Sequence, residues 1–170
     1  MVLPSIAIKE KMLLSYHNFK ESRTRIAGID ALRDGCPTES AQRIINDIDN
    51  YIAIYEPRFL RKLVGLNYQK VIESNKDLED MLINSKGGYS VVAAYVYFFY
   101  MRDHATVNTQ AGEKVFVSEN TVNASANARL ANLWNDMVDE CRFIAKNIGD
   151  RAVAPDWNAE IFHKINTFNL

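Results

Sequence analysis

Three histidines, His17, His104 and His163, and two cysteines, Cys36 and Cys141, are the chain's supply of soft or basic side chains for metal or nucleophilic chemistry. Only His163 stands in a ligand spacing, a Glu-x-x-His step with Glu160. A di-iron centre needs a second such step and two further carboxylates in the core, so this pair alone predicts no metal. The cysteines form no Cys-x-x-Cys pair. Cys36 precedes Pro37 in a turn, whereas Cys141 lies on an apolar seam and reads as a buried structural thiol rather than a nucleophile. The stretch "AGEK" lacks the glycine spacing and the Lys-Ser/Thr of a phosphate-binding loop, and neither Gly-x-Ser-x-Gly nor His-Glu-x-x-His occurs. Nothing assembles a nucleophile, a base and an orienting group. The expectation is a non-enzyme without catalytic, cofactor or metal residues.

Two basic groups bear on anion binding. Arg58, Arg61 and Lys62 stand near Tyr55, Phe59 and Tyr68, a mixture of cations and rings that suits phosphates and stacked bases, and Arg23 and Arg25 could contact phosphates too. The charge balance argues against a general affinity, since 20 basic residues face 21 acidic ones and the net charge is −1. No net field concentrates the chain on nucleic acid or an anionic membrane, and binding would have to come from a local patch.

The elements that must position these residues read as helices. At 170 residues the chain fits one domain, and an apolar content of 48 % with 7 Gly and 4 Pro suits long regular elements rather than a turn-rich β fold. Residues 89–101, "YSVVAAYVYFFYM", are apolar or aromatic in twelve of thirteen positions. A membrane span needs about 20 such residues, and a strand of this length would reach roughly 43 Å with no alternation. A helix apolar on every side fits, and such a helix belongs at the centre of a bundle, with Tyr95, Tyr97 and Tyr100 bringing hydroxyls that need partners. The N-terminus "MVLPSIAIKEKML" carries no secretory pattern, so a reducing cytoplasm is expected.

Amphipathic seams flank that run. Leu130, Trp134, Met137, Cys141, Ile144 and Ile148 repeat at 4, 3, 4, 3, 4, with Gly149 as a stop; Ala41, Ile45, Ile48, Ile52 and Tyr55 repeat likewise, with Thr38 or Ser40 as N-cap. Pro57 should end or kink the earlier helix, leaving "EPRFLRKLVG" as a short continuation to Gly65. Short helical turns are expected in "LNYQKVIES" and "DLEDMLINS", with Gly87-Gly88 as a break before the apolar helix. Upstream, Ile8, Met12, Tyr16 and Phe19 have helical spacing and residues 24–32 suggest a second short helix before the turn "RDGCP"; downstream, Pro155 opens a terminal piece with Trp157, Ile161, Ile165 and Phe168, placed to dock on the bundle or on a neighbour. The fold class is therefore all-α: a bundle of about four main helices with short accessory helices. Residues 1–38 form an N-terminal helical or extended segment, 39–150 the bundle, and 151–170 a short C-terminal helix and tail.

Between the last two long helices, residues 103–121 leave the helical pattern, far more than the roughly two to eight residues of most helix connections. "TVNT" and "KVFV" flank "QAGE", and Gly112 offers the positive φ of a three- or four-residue hairpin turn. A projecting β-hairpin is expected. A two-stranded hairpin is marginal in water, so Val107, Val115, Phe116 and Val117 need a surface to lie against, either the bundle's flank or a second subunit.

The order of parts carries a resemblance: a capped helix ending in "YEPRFLRKLVG", a short helix, the tyrosine-rich "YSVVAAYVYFFYMRD", a polar hairpin around "NTQAGE", then "NARLANLWNDMVDECRFI". Over residues 41–148 this resembles the small helical head-to-tail connector (adaptor) proteins of tailed bacteriophages, crAss-like and related groups. The resemblance implies a structural virion protein, assembled in the host cytoplasm, that forms a homo-oligomeric ring, expected as a dodecamer, in the neck. There it would bind the portal protein and the next neck or tail ring and continue a channel through which DNA passes without sequence-specific contacts or a membrane. It implies a docking element at Thr106, Val107, Asn108, Thr109, Gln110, Gly112, Lys114, Val115 and Phe116, and tail contacts at Trp157, Phe162 and Phe168. The first forty residues match no part of that pattern. The alternative reading is a small helical binding or regulatory protein that contacts a host partner or nucleic acid through the cluster around Arg58; a carboxylate and histidine site at Glu160 and His163 is the form an enzyme would take.

Overall fold

A computed structural model of the chain describes residues 11–84, 90–104, 106–109, 112–115, 123–149 and 158–166. The fold is all-α, a helical bundle carrying one small antiparallel hairpin between its last two long helices. In chain order the elements are β1 (Leu32–Arg33), β2 (Cys36–Pro37), α1 (Glu39–Leu63), α2 (Tyr68–Glu73), α3 (Lys76–Ile83), α4 (Val91–His104), β3 (Thr106–Thr109), β4 (Gly112–Val115) and α5 (Asn123–Gly149). Short 3₁₀ turns occupy Tyr16–Phe19, Ser22–Thr24 and Ala159–Ile161.

α4 is the centre of the bundle and packs on α1, α5 and α3. Every residue from Val91 to Phe98 is buried, as is Tyr100, because a helix without a polar face satisfies its apolar surface only when neighbours cover all of it. Its start is set by Ser90, whose hydroxyl accepts from the Ala93 amide at 3.1 Å and donates to the Leu82 carbonyl at 2.9 Å, tying α4 to the end of α3. The proposed break at Gly87 and Gly88 lies outside the described residues. No helix among the described residues is long and apolar enough to cross a membrane.

α1 begins where the Thr38 hydroxyl accepts from the Ala41 amide at 3.2 Å. Pro57, expected to end or kink the helix, does not end it: α1 continues through Pro57 to Leu63. A proline inside a helix costs about 3 kcal/mol, but fully burying a large apolar side chain returns about 1.5–3 kcal/mol, and Ile52, Phe59, Leu60 and Leu63 around Pro57 are all buried. Gly65, at φ +103°, then turns the chain out of the helix.

The N-terminal segment also departs from expectation. Residues 24–32 form no helix; Asp34 (φ +53°) and Gly35 (φ +78°) make a two-residue turn that pairs β1 with β2, Leu32 opposite Pro37. Two successive positive φ values suit an Asp-Gly pair and twist the chain into a hairpin. Cys36 therefore sits exposed on a short strand. Upstream, the buried carboxylate of Glu56 on α1 accepts from the amides of Leu13 at 2.7 Å and Leu14 at 3.0 Å, which fixes that stretch on the bundle.

Candidate interaction surface

The hairpin leaves the bundle from the last turn of α4, and that turn is held firmly. His104 Nδ1 lies 2.7 Å from the Tyr100 carbonyl oxygen and Nε2 lies 2.9 Å from Asp47 Oδ2, so one imidazole bridges α4 to α1. Its ring stacks on Tyr100 at 4.1 Å. One turn along α1, the Tyr51 hydroxyl donates to Asp103 Oδ2 at 3.2 Å, and burial, followed by the charge of Asp103, pushes this phenol up to about 12. Arg102 covers the Phe99 ring at 4.6 Å and pairs with Asp103. The strands thus start from a fixed point.

β3 and β4 run antiparallel with Thr106 opposite Val115, Val107 opposite Lys114, Asn108 opposite Glu113 and Thr109 opposite Gly112. This register leaves a two-residue connection, shorter than the expected turn, and places Gly112 at the head of β4 rather than in the turn. The described second strand is "GEKV", which shares Lys114 and Val115 with the expected "KVFV"; Phe116 and Val117 lie outside the described residues. The hairpin's main contacts are between its own strands and with the end of α4. Of the residues expected to dock, Gln110 and Phe116 lie outside the described residues, as do Trp157 and Phe168 of the tail.

Phe162, expected at a contact with another subunit, is instead buried in the chain's own core, stacked on Phe59 at 5.3 Å and set edge-on to Tyr95 and Trp134. Side chains of α5 hold the segment around it. Asn135 clasps the main chain of Ile165, accepting from its amide at 2.8 Å and donating to its carbonyl at 2.9 Å. The Trp134 indole donates to the His163 carbonyl at 2.8 Å, and the Asn158 amide donates to the Leu63 carbonyl at 2.8 Å. Sequence reading found the apolar spacing of Ile161 and Ile165 but not the polar clasp, because an asparagine on a helix surface has no pattern of its own.

The chemistry-bearing residues do not converge. Glu160 pairs with Arg142 at 3.3 Å, His163 is exposed, and no group of three potential ligands among the described residues could hold a metal. Cys141 is wholly buried, and burial pushes its thiol up to about 12, far from a nucleophile's range. Arg58, Arg61 and Lys62 are exposed on α1, but Phe59 and Tyr68 beside them are buried, and Arg58 lies over the Tyr55 ring, so few faces are left for bases to stack on. Compared with known proteins, the chain matches no family model, no curated protein and no solved structure.

Proposed function

We propose that the chain is a structural subunit of a tailed-phage neck, forming a ring that binds the portal and continues the DNA channel. The observation that supports this reading is the division of labour in the fold: a densely packed bundle, and a hairpin that departs from the anchored end of α4 with its main contacts to itself and to that helix. A two-stranded hairpin is marginal alone, and a partner's surface would supply the burial it lacks. The element order also supports the reading: a long helix, two short helices, the central apolar helix, the hairpin and a second long helix. In this reading the hairpin docks, the bundle forms the ring wall, and residues 158–166 brace that wall from within the same chain.

The test is assembly. Full-length protein is imaged by negative stain and sized by sedimentation, alone and with a tailed-phage portal assembly; closed rings or a portal-bound layer are expected. Replacing residues 106–115 by a Gly-Ser link should abolish portal binding while helical content stays. A chain that remains monomeric at high concentration and binds no portal ends this reading. Salt-sensitive oligonucleotide binding lost on R58A/R61A/K62A would favour the regulatory alternative.

A further inference from the structure

We propose that the cleft between the 22–28 turn and α5 is a binding site for a phosphate group, taken as free phosphate or as the phosphate of a mononucleotide. The cleft has a volume of about 610 Å³, within the range of small-ligand sites, and is lined by Ser22, Arg23, Arg25, Gly28, Arg129 and Leu133. Three guanidinium groups from two distant parts of the sequence thus meet at one concave surface. Arg23 and Arg25 stand two residues apart, and the fold brings Arg129 to them from the first half of α5.

Each guanidinium is held by a partner. Arg23 pairs with Asp136 at 2.6 Å and Arg25 with Asp30 at 3.3 Å, both at sites where the side chains are about half exposed. Such exposed pairs are worth only about 0.2–1 kcal/mol, so an incoming dianion competes with them readily. Arg129 donates to the hydroxyl of the buried Tyr97 at 2.5 Å, a neutral partner that fixes the side chain without cancelling its charge. A guanidinium carries five N–H donors, and no other hydrogen bond or ion pair of Arg129 occurs among the described residues.

Phosphate is the anion that fits. Planar forks match its oxygens two at a time, and Ser22 adds a hydroxyl at the rim. Ser22 also holds φ +65°, an uncommon conformation for a residue with a side chain, beside Thr24, whose hydroxyl donates to the Asn18 carbonyl at 3.2 Å. Gly28, at φ +83°, lets the chain turn at the edge of the cleft, where a Cβ would also crowd Ile44 at 3.3 Å. A concave site floored by Gly28 and Leu133 favours a small ligand over an extended nucleic-acid backbone, which a chain of net charge −1 does not attract as a whole.

Isothermal titration of the full-length protein with inorganic phosphate, deoxyadenosine 5′-monophosphate and a single-stranded oligodeoxynucleotide tests the site. Saturable binding of phosphate or the mononucleotide is expected, weakened about tenfold or more by R25A and by R129Q and unchanged by R43A. Equal affinities identify free phosphate as the ligand, and a tighter mononucleotide identifies the nucleotide. R25A alters an exposed side chain and so decides the matter even where R129Q disturbs Tyr97. The proposal is overturned by no saturable binding below about 10 mM, by binding that R25A leaves intact (an adventitious ion only), or by binding of the oligonucleotide alone with steep salt dependence.

Discussion

Glu56 shows how one buried polar side chain can organise a segment forty residues away. Its carboxylate is tolerated in the core because the amides of Leu13 and Leu14 donate to it, and without it those two donors would face apolar surroundings. Glu56→Ala should therefore cost about 2–4 kcal/mol in urea unfolding, and Glu56→Gln less, since the amide keeps one accepting oxygen. The buried thiol of Cys141 makes a second prediction. Its folded value is raised to about 12, above the ordinary thiol value, so the native state keeps a proton that the unfolded chain gives up. Stability is then fully present below the ordinary thiol value and is lost as pH rises from there toward about 12. Tyr51, also raised to about 12, adds to the loss above the ordinary phenol value. Urea midpoints should fall between about pH 8 and about pH 10.5, and less steeply in Cys141→Ala. A thiol reagent should label exposed Cys36 in the native protein and Cys141 only after denaturation; native labelling of Cys141 would contradict its burial.

At the scale of elements, the C-terminal segment is held by two kinds of contact that separate experimentally. Phe162 contributes burial, and Phe162→Ala should cost about 3–5 kcal/mol of global stability. Asn135 contributes only the clasp on Ile165, so Asn135→Ala should cost about 1–3 kcal/mol and expose residues 158–166 to protease before the bundle unfolds. Equal protease resistance in Asn135→Ala and the parent would show that apolar contact alone holds the segment. α1 illustrates what a local rule misses. Pro57 argued for a break, yet the apolar positions keep helical phase across it, from Ile52 to Phe59 and Leu63, and that longer pattern was the better guide. The turn at Asp34-Gly35 was legible in "RDGCP", a dipeptide suited to two positive φ values, but the residues before it, 24–32, suggested a helix that the structure lacks.

For the whole molecule, the relevant contrast is between the bundle and what projects from it. Replacing residues 106–115 by a flexible link should leave the thermal midpoint almost unchanged, because the hairpin's main contacts are with itself and the end of α4, while Phe162→Ala lowers it by several degrees. A large stability loss from the hairpin replacement would mean that the strands belong to the core. The sequence by itself determined the all-α class, the central position of α4, the seams of α1 and α5 and the long non-helical connection. These follow from apolar periodicity and from the length a helix needs, which are properties of neighbouring residues along the chain. Only the tertiary structure decided that Glu56 holds the N-terminal segment, that Phe162 belongs to the core and that Arg129 joins Arg23 and Arg25 at one cleft. Each of these depends on atoms brought together across thirty or more residues, and such meetings are settled by packing energies summed over the whole bundle rather than by any spacing written in the chain.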